Sequence, residues 1–320
     1  MTVQLTRPWS EGLELQPHER AVTIVRSEIE AIEQACAFAA EFAFDAAERE
    51  LLQISPAAEI EAVSAAGLLA ITVPRNYGGS DVRASTVAEV LRILATTDPS
   101  VARIPVGHFA ALNLIRLAGT PRQCEQIFGE VLAGGRLVYA RPRAENAHAR
   151  LTPIGSAGFV LDGIAHDCPG AQFADRVAVV ARLDDPNRIA GLGADEYVAY
   201  LPAGTTGMRV EEGRPGEHAA SATVRLDHVQ VAREWLVPRG AVLHLPHSFA
   251  AYAQLLRVAV EVGAAQAYSD ETSRTAAEAA MRTAGERVDE ALAMPHEQSA
   301  IDAAIAVAAA TERVQRFGGC

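Results

Sequence analysis

The sequence lacks an excess of positive charge and lacks long apolar runs, and each absence excludes a class of partner. Arginine and lysine together number 28 against 40 acidic residues, so the net charge is −12. Because phosphate backbones are bound through clustered cations, we do not expect a nucleic-acid partner. No stretch approaches the roughly 18 consecutive apolar residues that a membrane span needs. The first residues also lack the apolar core of a secretory signal.

Cysteine is scarce as well. The four cysteines lie far apart without a Cys-x-x-Cys pair: Cys36, Cys124, Cys168 and Cys320. Their spacing favours reduced thiols over a disulfide framework or a zinc site, so we expect a cytoplasmic protein.

No hydrolase elbow, phosphate-binding loop or Gly-x-Gly-x-x-Gly motif occurs. Five further histidines show no metal-ligand spacing: His218, His228, His244, His247 and His296. The sequence therefore predicts no metal site.

Helical patterns dominate the first part of the chain. After Ser85, a candidate N-cap, apolar residues recur at helical spacing. Residues 120–123 have the form of a capping box with proline at the first helical position. The helix that they start should stop at Gly134 and Gly135. These patterns predict a helical domain over residues 20–136.

The pattern changes in the middle of the chain. Short runs rich in valine, leucine and isoleucine alternate with turn residues, at 158–162, 176–180, 197–201 and 222–226. They predict an antiparallel barrel-like domain over residues 137–240. Three alanine-rich helical stretches follow, at 249–269, 272–292 and 298–315, within a C-terminal domain over residues 241–320. Helices, strands and helices in this order favour an α+β fold with segregated domains.

Four motifs in order resemble the acyl-CoA dehydrogenase superfamily. Residues 66–79 are similar to its Gly-Leu to Pro-x-x-Tyr-Gly-Gly signature, and segments 98–101, 119–123 and 224–231 follow at family-like spacing. Segments 107–112 and 170–175 resemble the sulfur-acquisition oxidoreductases and dibenzothiophene monooxygenases. The resemblance covers residues 20–270 and implies the acyl-CoA dehydrogenase fold, a flavin (FAD or FMN) and oxidoreductase activity.

The resemblance also implies two flavin-contact segments. In the first, hydroxyl and backbone N–H groups of the family bind the pyrimidine edge and the phosphates. The matching residues here are Tyr139, Ala140, Arg141 and Asn146. In the second, the matching residues are Cys168, Pro169 and Gly170, with Asp167 at the family's aromatic position. Proline offers neither a hydroxyl nor an N–H group, so this chain should make fewer polar contacts to a flavin than its relatives do.

Two further residues are candidates for chemistry. His108 lies on a helix that lines the substrate cavity in the monooxygenase branch, and its ordinary pKa of about 6.5 suits proton transfer. The alternative is a histidine packed on a helix face and satisfied by a backbone carbonyl. Arg257 matches a family arginine on the first C-terminal helix and suits a phosphate or a carboxylate. An ion pair within the helix or between subunits is the alternative for Arg257.

The sequence stops at residues 315–320, whereas the family carries a longer C-terminal helical domain with a catalytic glutamate. A shortened C-terminal domain disfavours an acyl-CoA dehydrogenase, because removal of an α-proton needs a base. The resemblance implies a monooxygenase-like enzyme for a small organosulfur or related compound. We expect this enzyme to be a homo-oligomer and to receive reduced flavin from a flavin reductase. Two alternatives stay open, a flavin-less non-catalytic subunit with the same fold and a fragment of an acyl-CoA dehydrogenase.

Overall fold

The computed structural model describes residues 21–44, 46–52, 54–140, 149–154, 158–184, 196–213, 221–240, 248–267 and 269–316. Six helices come first: α1 Glu28–Phe42, α2 Ala46–Leu52, α3 Ala57–Ala65, α4 Ala84–Thr97, α5 Pro99–Ala118 and α6 Pro121–Leu132. The strands follow: β1 Leu137–Ala140, β2 Ala149–Ile154, β3 Gly158–Ala165, β4 Arg176–Leu183, β5 Glu196–Pro202, β6 Met208–Glu212, β7 Ala222–Ala232 and β8 Leu236–Pro238. Three more helices complete the described chain: α7 Ser248–Ala264, α8 Glu271–Ala293 and α9 Glu297–Gln315. The predicted α+β architecture is confirmed, while the domain boundaries at 136 and 240 stay predictions.

Local capping explains where α5 and α6 begin. The Asp98 carboxylate accepts the N–H groups of Ser100 and Val101 at 2.8 and 3.0 Å and so caps α5. The same carboxylate pairs with the buried Arg49 at 2.7 Å. At α6, the predicted capping box is present in full, with Thr120 and Gln123 each accepting the other's backbone N–H. These caps satisfy donors that a helix leaves open at its first turn.

The helix that follows the first signature does not begin as the sequence predicts. Ser85 is inside α4, which starts at Ala84, and the N-cap residue Arg83 makes no side-chain cap bond. The Ser85 N–H instead donates to Asp289 of α8 at 3.3 Å. The prediction that Ser85 caps α4 was therefore wrong. A carboxylate from a distant helix lies at the N-terminus of α4 instead, where the helix dipole favours negative charge.

The described strands form one eight-stranded sheet in the order β6-β7-β3-β2-β4-β5-β8, with β1 pairing with β4. All four strand segments predicted from the sequence lie within β3, β4, β5 and β7. Most of the described strand pairs are antiparallel as predicted, but β4 pairs in parallel with both β1 and β2. A parallel pair needs a long crossover connection, which the β2–β3 hairpin provides between β1 and β4.

Buried polar contacts attach the sheet to the helices. Arg176 of β4 is 0% exposed and holds Glu130 of α6 through two hydrogen bonds of 2.7 and 2.6 Å. Its guanidinium also lies 4.6 Å from the ring centre of Trp235. The Tyr200 hydroxyl donates to the Ala111 carbonyl of α5 at 2.7 Å. Helix α5 is thus fixed against the sheet on one side and packs against α7 as well. No helix within the described ranges has the length and apolarity needed to cross a bilayer.

Candidate functional site

The predicted site residues converge where β1 and the turn after β3 meet α5. Tyr139 of β1 and Phe249 at the start of α7 form an edge-to-face aromatic pair with ring centres 6.4 Å apart. A Cβ atom added to Gly107 of α5 would lie 3.3 Å from the Tyr139 nitrogen. Glycine at position 107 therefore lets the backbone of α5 approach β1 closely. The Tyr139–Phe249 pair lies where β1 meets the start of α7.

His108 is buried in this junction, with 1% of its surface exposed. Its Nε2–H donates to the Leu69 carbonyl at 2.8 Å. Its Nδ1 accepts the Leu137 backbone N–H at 3.0 Å. Since one partner is a carbonyl and the other an N–H group, the contacts require the neutral tautomer with hydrogen on Nε2. Burial lowers the pKa of His108 from 6.5 to about 4.

This geometry gives His108 a structural task. It joins α5 to the turn at Leu68–Ala70 and to the first residue of β1, and both ring nitrogens are used. The contact to a backbone carbonyl is the alternative that the sequence analysis left open. A neutral imidazole with no spare nitrogen is poorly placed to donate a proton near pH 7. A catalytic role for His108 stays a prediction, and the geometry supports a positioning role.

The turn after β3 faces inward at Cys168, which is 0% exposed. Its backbone N–H donates to the Ala222 carbonyl at 2.9 Å, and its thiol donates to the Ala165 carbonyl at 3.5 Å. Burial raises the pKa of this thiol to about 12. Gly170 adopts φ +80°, and a Cβ atom there would lie 2.5 Å from Ile104 of α5. Glycine is required at this position by both conformation and space.

Among the described residues, the two segments predicted to contact a cofactor lie close together. Val138 and Gly170 line one small cavity of about 10 Å³ beside His108, which shows that β1 and the turn pack on the same part of α5. Ala140 is 0% exposed. Arg141 and Asn146 lie outside the described residues, so their predicted roles stay predictions, as does that of Pro169.

The described residues at the junction offer a flavin ring mainly aromatic surface. Tyr139 and Phe249 offer aromatic surface at the junction. The Cys168 thiol already donates a hydrogen bond to the Ala165 carbonyl, and Pro169 has no N–H to donate. Polar contacts to a ring would therefore come mainly from backbone groups.

Arg257 of α7 bonds within its own helix. Its Nε and Nη2 donate to Gln254 Oε1 at 3.0 and 2.7 Å. Burial raises the pKa of Glu261, and the nearby charge of Arg257 opposes that shift. These contacts agree with the alternative of an interaction within the helix, and phosphate or substrate binding by Arg257 stays a prediction.

One polar cluster was missed by the sequence analysis. Asp162, Asp227 and His228 bring potential ligand atoms within 4.8 Å of one another, with His228 at φ +52°. The ladder between β3 and β7 changes register between residues 161 and 163, beside Asp162. His228 Nδ1 lies 2.8 Å from Asp227, and His228 is 82% exposed. Hydrogen bonding to Asp227 raises the pKa of His228, so ion pairing accounts for the cluster.

Residues 27–135 match the acyl-CoA dehydrogenase N-terminal domain. Dibenzothiophene monooxygenase of Rhodococcus erythropolis is 30% identical over 166 residues, which are 50% of this chain and 40% of that protein. A probable FMNH2-dependent monooxygenase, SfnC of Pseudomonas putida, is 26% identical over 59% of this chain and 48% of its own length. The chain thus aligns with less than half of each relative.

Solved structures agree on the fold. TdsC from Paenibacillus sp. A11-2, in complex with FMN and indole, superposes with a TM-score of 0.79 at 22% identity, over 90% of this chain and 84% of that one. Butyryl-CoA dehydrogenase from Megasphaera elsdenii superposes with a TM-score of 0.69 at 19% identity, over 91% and 88%. The resemblance inferred from the sequence motifs is confirmed, since residues 27–135 match the acyl-CoA dehydrogenase N-terminal domain and 166 residues align with a dibenzothiophene monooxygenase.

Proposed function

We propose that this protein is a flavin-dependent monooxygenase acting on a small organosulfur or related compound. The observation that carries the proposal is the aromatic junction between β1 and α7, where Tyr139 and Phe249 form an apolar face. Relatives named dibenzothiophene monooxygenase and FMNH2-dependent monooxygenase supply the reaction class. FMN in the TdsC complex favours FMN over FAD.

The chain's own residues prepare the site. When bound, reduced flavin would supply the electrons for activating O2. Tyr139 and Phe249 exclude water from the junction, since both side chains are largely withdrawn from solvent. His108 holds the start of β1 against α5 and so orients Tyr139 two residues later. We place the protein in the cytoplasm, as a homo-oligomer served by a flavin reductase.

Flavin titration of the purified chain tests the proposal. We expect FMN fluorescence to be quenched on binding, with reduced FMN bound more tightly than oxidised FMN in anaerobic titrations. Phe249→Ala should weaken binding at least tenfold, because the apolar face is lost. Phe159→Ala is the matched control, since this ring stacks under Arg233 elsewhere in the sheet. If neither FMN nor FAD binds in either redox state, the proposal fails.

Turnover distinguishes the reaction classes. With a flavin reductase and NADH, we expect incorporation of oxygen from O2 into an aromatic thioether such as dibenzothiophene. Acyl-CoA substrates should not reduce the flavin. Rapid flavin reduction by butyryl-CoA without oxygen incorporation would identify a dehydrogenase instead and overturn the assignment.

A flavin-less subunit is the second candidate, and the inward-facing Cys168 thiol favours it. Its distinguishing experiment restores the family's residue types with Asp167→Tyr and Pro169→Thr. Flavin binding by the double variant but not by the natural chain would support loss of the cofactor in this protein.

A further inference from the structure

A second polar pocket lies on another face of α5. At 100° per residue, Asn113 stands about 140° around the helix from His108. A cavity of about 40 Å³ opens beside it, between the segment at Thr72, α5, Tyr252 of α7 and Leu292 of α8. The cavity shares no lining residue with the small cavity beside His108.

Polar groups without partners face this cavity. Asn113 is 9% exposed, and its Nδ2 has no hydrogen-bond partner among the described residues. Thr72 Oγ1 is fully buried and likewise has no hydrogen-bond partner among the described residues. Tyr252 lines the cavity as well, is 4% exposed, and burial raises its pKa, so the phenol keeps its proton. Buried polar groups are nearly always satisfied in folded proteins, so donors on separate elements that share one cavity indicate a common ligand.

We propose that this cavity is an internal water site in which bound water links Asn113, Thr72 and Tyr252. One water needs at least about 10–15 Å³ of such space, so the volume of about 40 Å³ accommodates about two or three molecules. Water both donates and accepts, which matches an amide donor beside two hydroxyl groups.

The charges around the cavity argue against an anion. Arg116 lines it, but its guanidinium is already paired with Asp81 at 2.6 Å. Besides burial, the charges of Arg116 and Asp289 act on the pKa of Tyr252 in opposite directions, Arg116 lowering it and Asp289 raising it. An anion would therefore meet no net positive charge, whereas neutral water is unaffected. Because Thr72 lies in the turn after Leu68–Ala70 and Asn113 lies on α5, whereas Tyr252 lies on α7, the water connects the N-terminal part of the protein to its C-terminal helices.

Replacing each polar group by an apolar one tests the water site, because a hydrated cavity and a dry cavity predict opposite changes in stability. In a hydrated cavity, Asn113→Leu and Thr72→Val should each increase the unfolding equilibrium constant several-fold, because the water loses a partner. The double variant should destabilise the protein about as much as the stronger single variant, and so by less than the product of the two effects, since neighbours that share a partner are not additive. In a dry cavity, each replacement would remove an unsatisfied donor and stabilise the protein.

Controls and a direct measurement complete the test. Thr97→Val removes a hydroxyl that donates to the Ala39 carbonyl elsewhere, so it should combine additively with Asn113→Leu. A crystal structure of the full chain should show ordered water within hydrogen-bond distance of Asn113 Nδ2 and Thr72 Oγ1. Single variants that stabilise the protein would overturn the proposal. So would a double variant whose effect equals the product of the two single effects. So would direct protein partners for both atoms, or density for a larger molecule.

Discussion

The buried imidazole of His108 should make the stability of this protein depend on pH between about 4 and 6.5. Burial lowers the folded-state pKa to about 4, whereas an unfolded histidine titrates near 6.5. Between these values the unfolded chain binds more protons than the folded one, so stability falls as the pH falls. A shift of 6.5 − 4 = 2.5 units at about 1.36 kcal/mol each gives about 3 kcal/mol.

His108→Gln isolates this contribution. Glutamine keeps one donor and one acceptor for the Leu69 carbonyl and the Leu137 N–H, but it does not titrate. Urea unfolding followed by circular dichroism at several pH values should show that the natural chain loses about 3 kcal/mol more than the variant between pH 7 and 4. Other titrating groups cancel in this comparison, because both proteins contain them.

Two further variants sharpen the assay. His108→Leu leaves the Leu69 carbonyl and the Leu137 N–H buried without partners, which should cost about 2–6 kcal/mol at pH 7, at about 1–3 kcal/mol for each group. His228→Gln removes an exposed histidine and should leave the acid dependence at pH 4–6.5 close to that of the natural chain. Equal acid dependence in the natural chain and in His108→Gln would refute the buried, neutral state of His108.

Three other predictions concern single contacts. Asp289→Ala should destabilise the protein by about 1 kcal/mol in urea unfolding, because α4 loses its capping acceptor, while the neighbouring Glu290→Ala should not. Gly170→Ala should lower stability by at least about 1–2 kcal/mol, the cost of a left-handed backbone for a residue with a Cβ atom; an unchanged melting temperature would contradict this. In the folded protein, iodoacetamide should modify the exposed Cys36 and leave the buried Cys168 unmodified by mass spectrometry; equal labelling would contradict the inward turn.

Helix ends show which features the sequence could predict. Thr120 and Gln123 bond to each other's backbone within one turn, so four consecutive residues contain the whole signal. The start of α4 could not be predicted, because its capping acceptor, Asp289, is 204 residues away. The strands were located for the same local reason, whereas the parallel pairing of β4 with β1 and β2 depends on contacts between distant segments.

The candidate site divides in the same way. The motifs located α5, β1 and the turn after β3, because each carries its residues in a short segment. The two bonds that define the state of His108 reach Leu69 and Leu137, which are 39 and 29 residues away, and both partners are backbone atoms. Every residue type supplies the same backbone atoms, so no sequence pattern marks these contacts. The proton-donor and packing hypotheses for His108 were therefore indistinguishable in sequence, and the positions of two backbone groups favour packing.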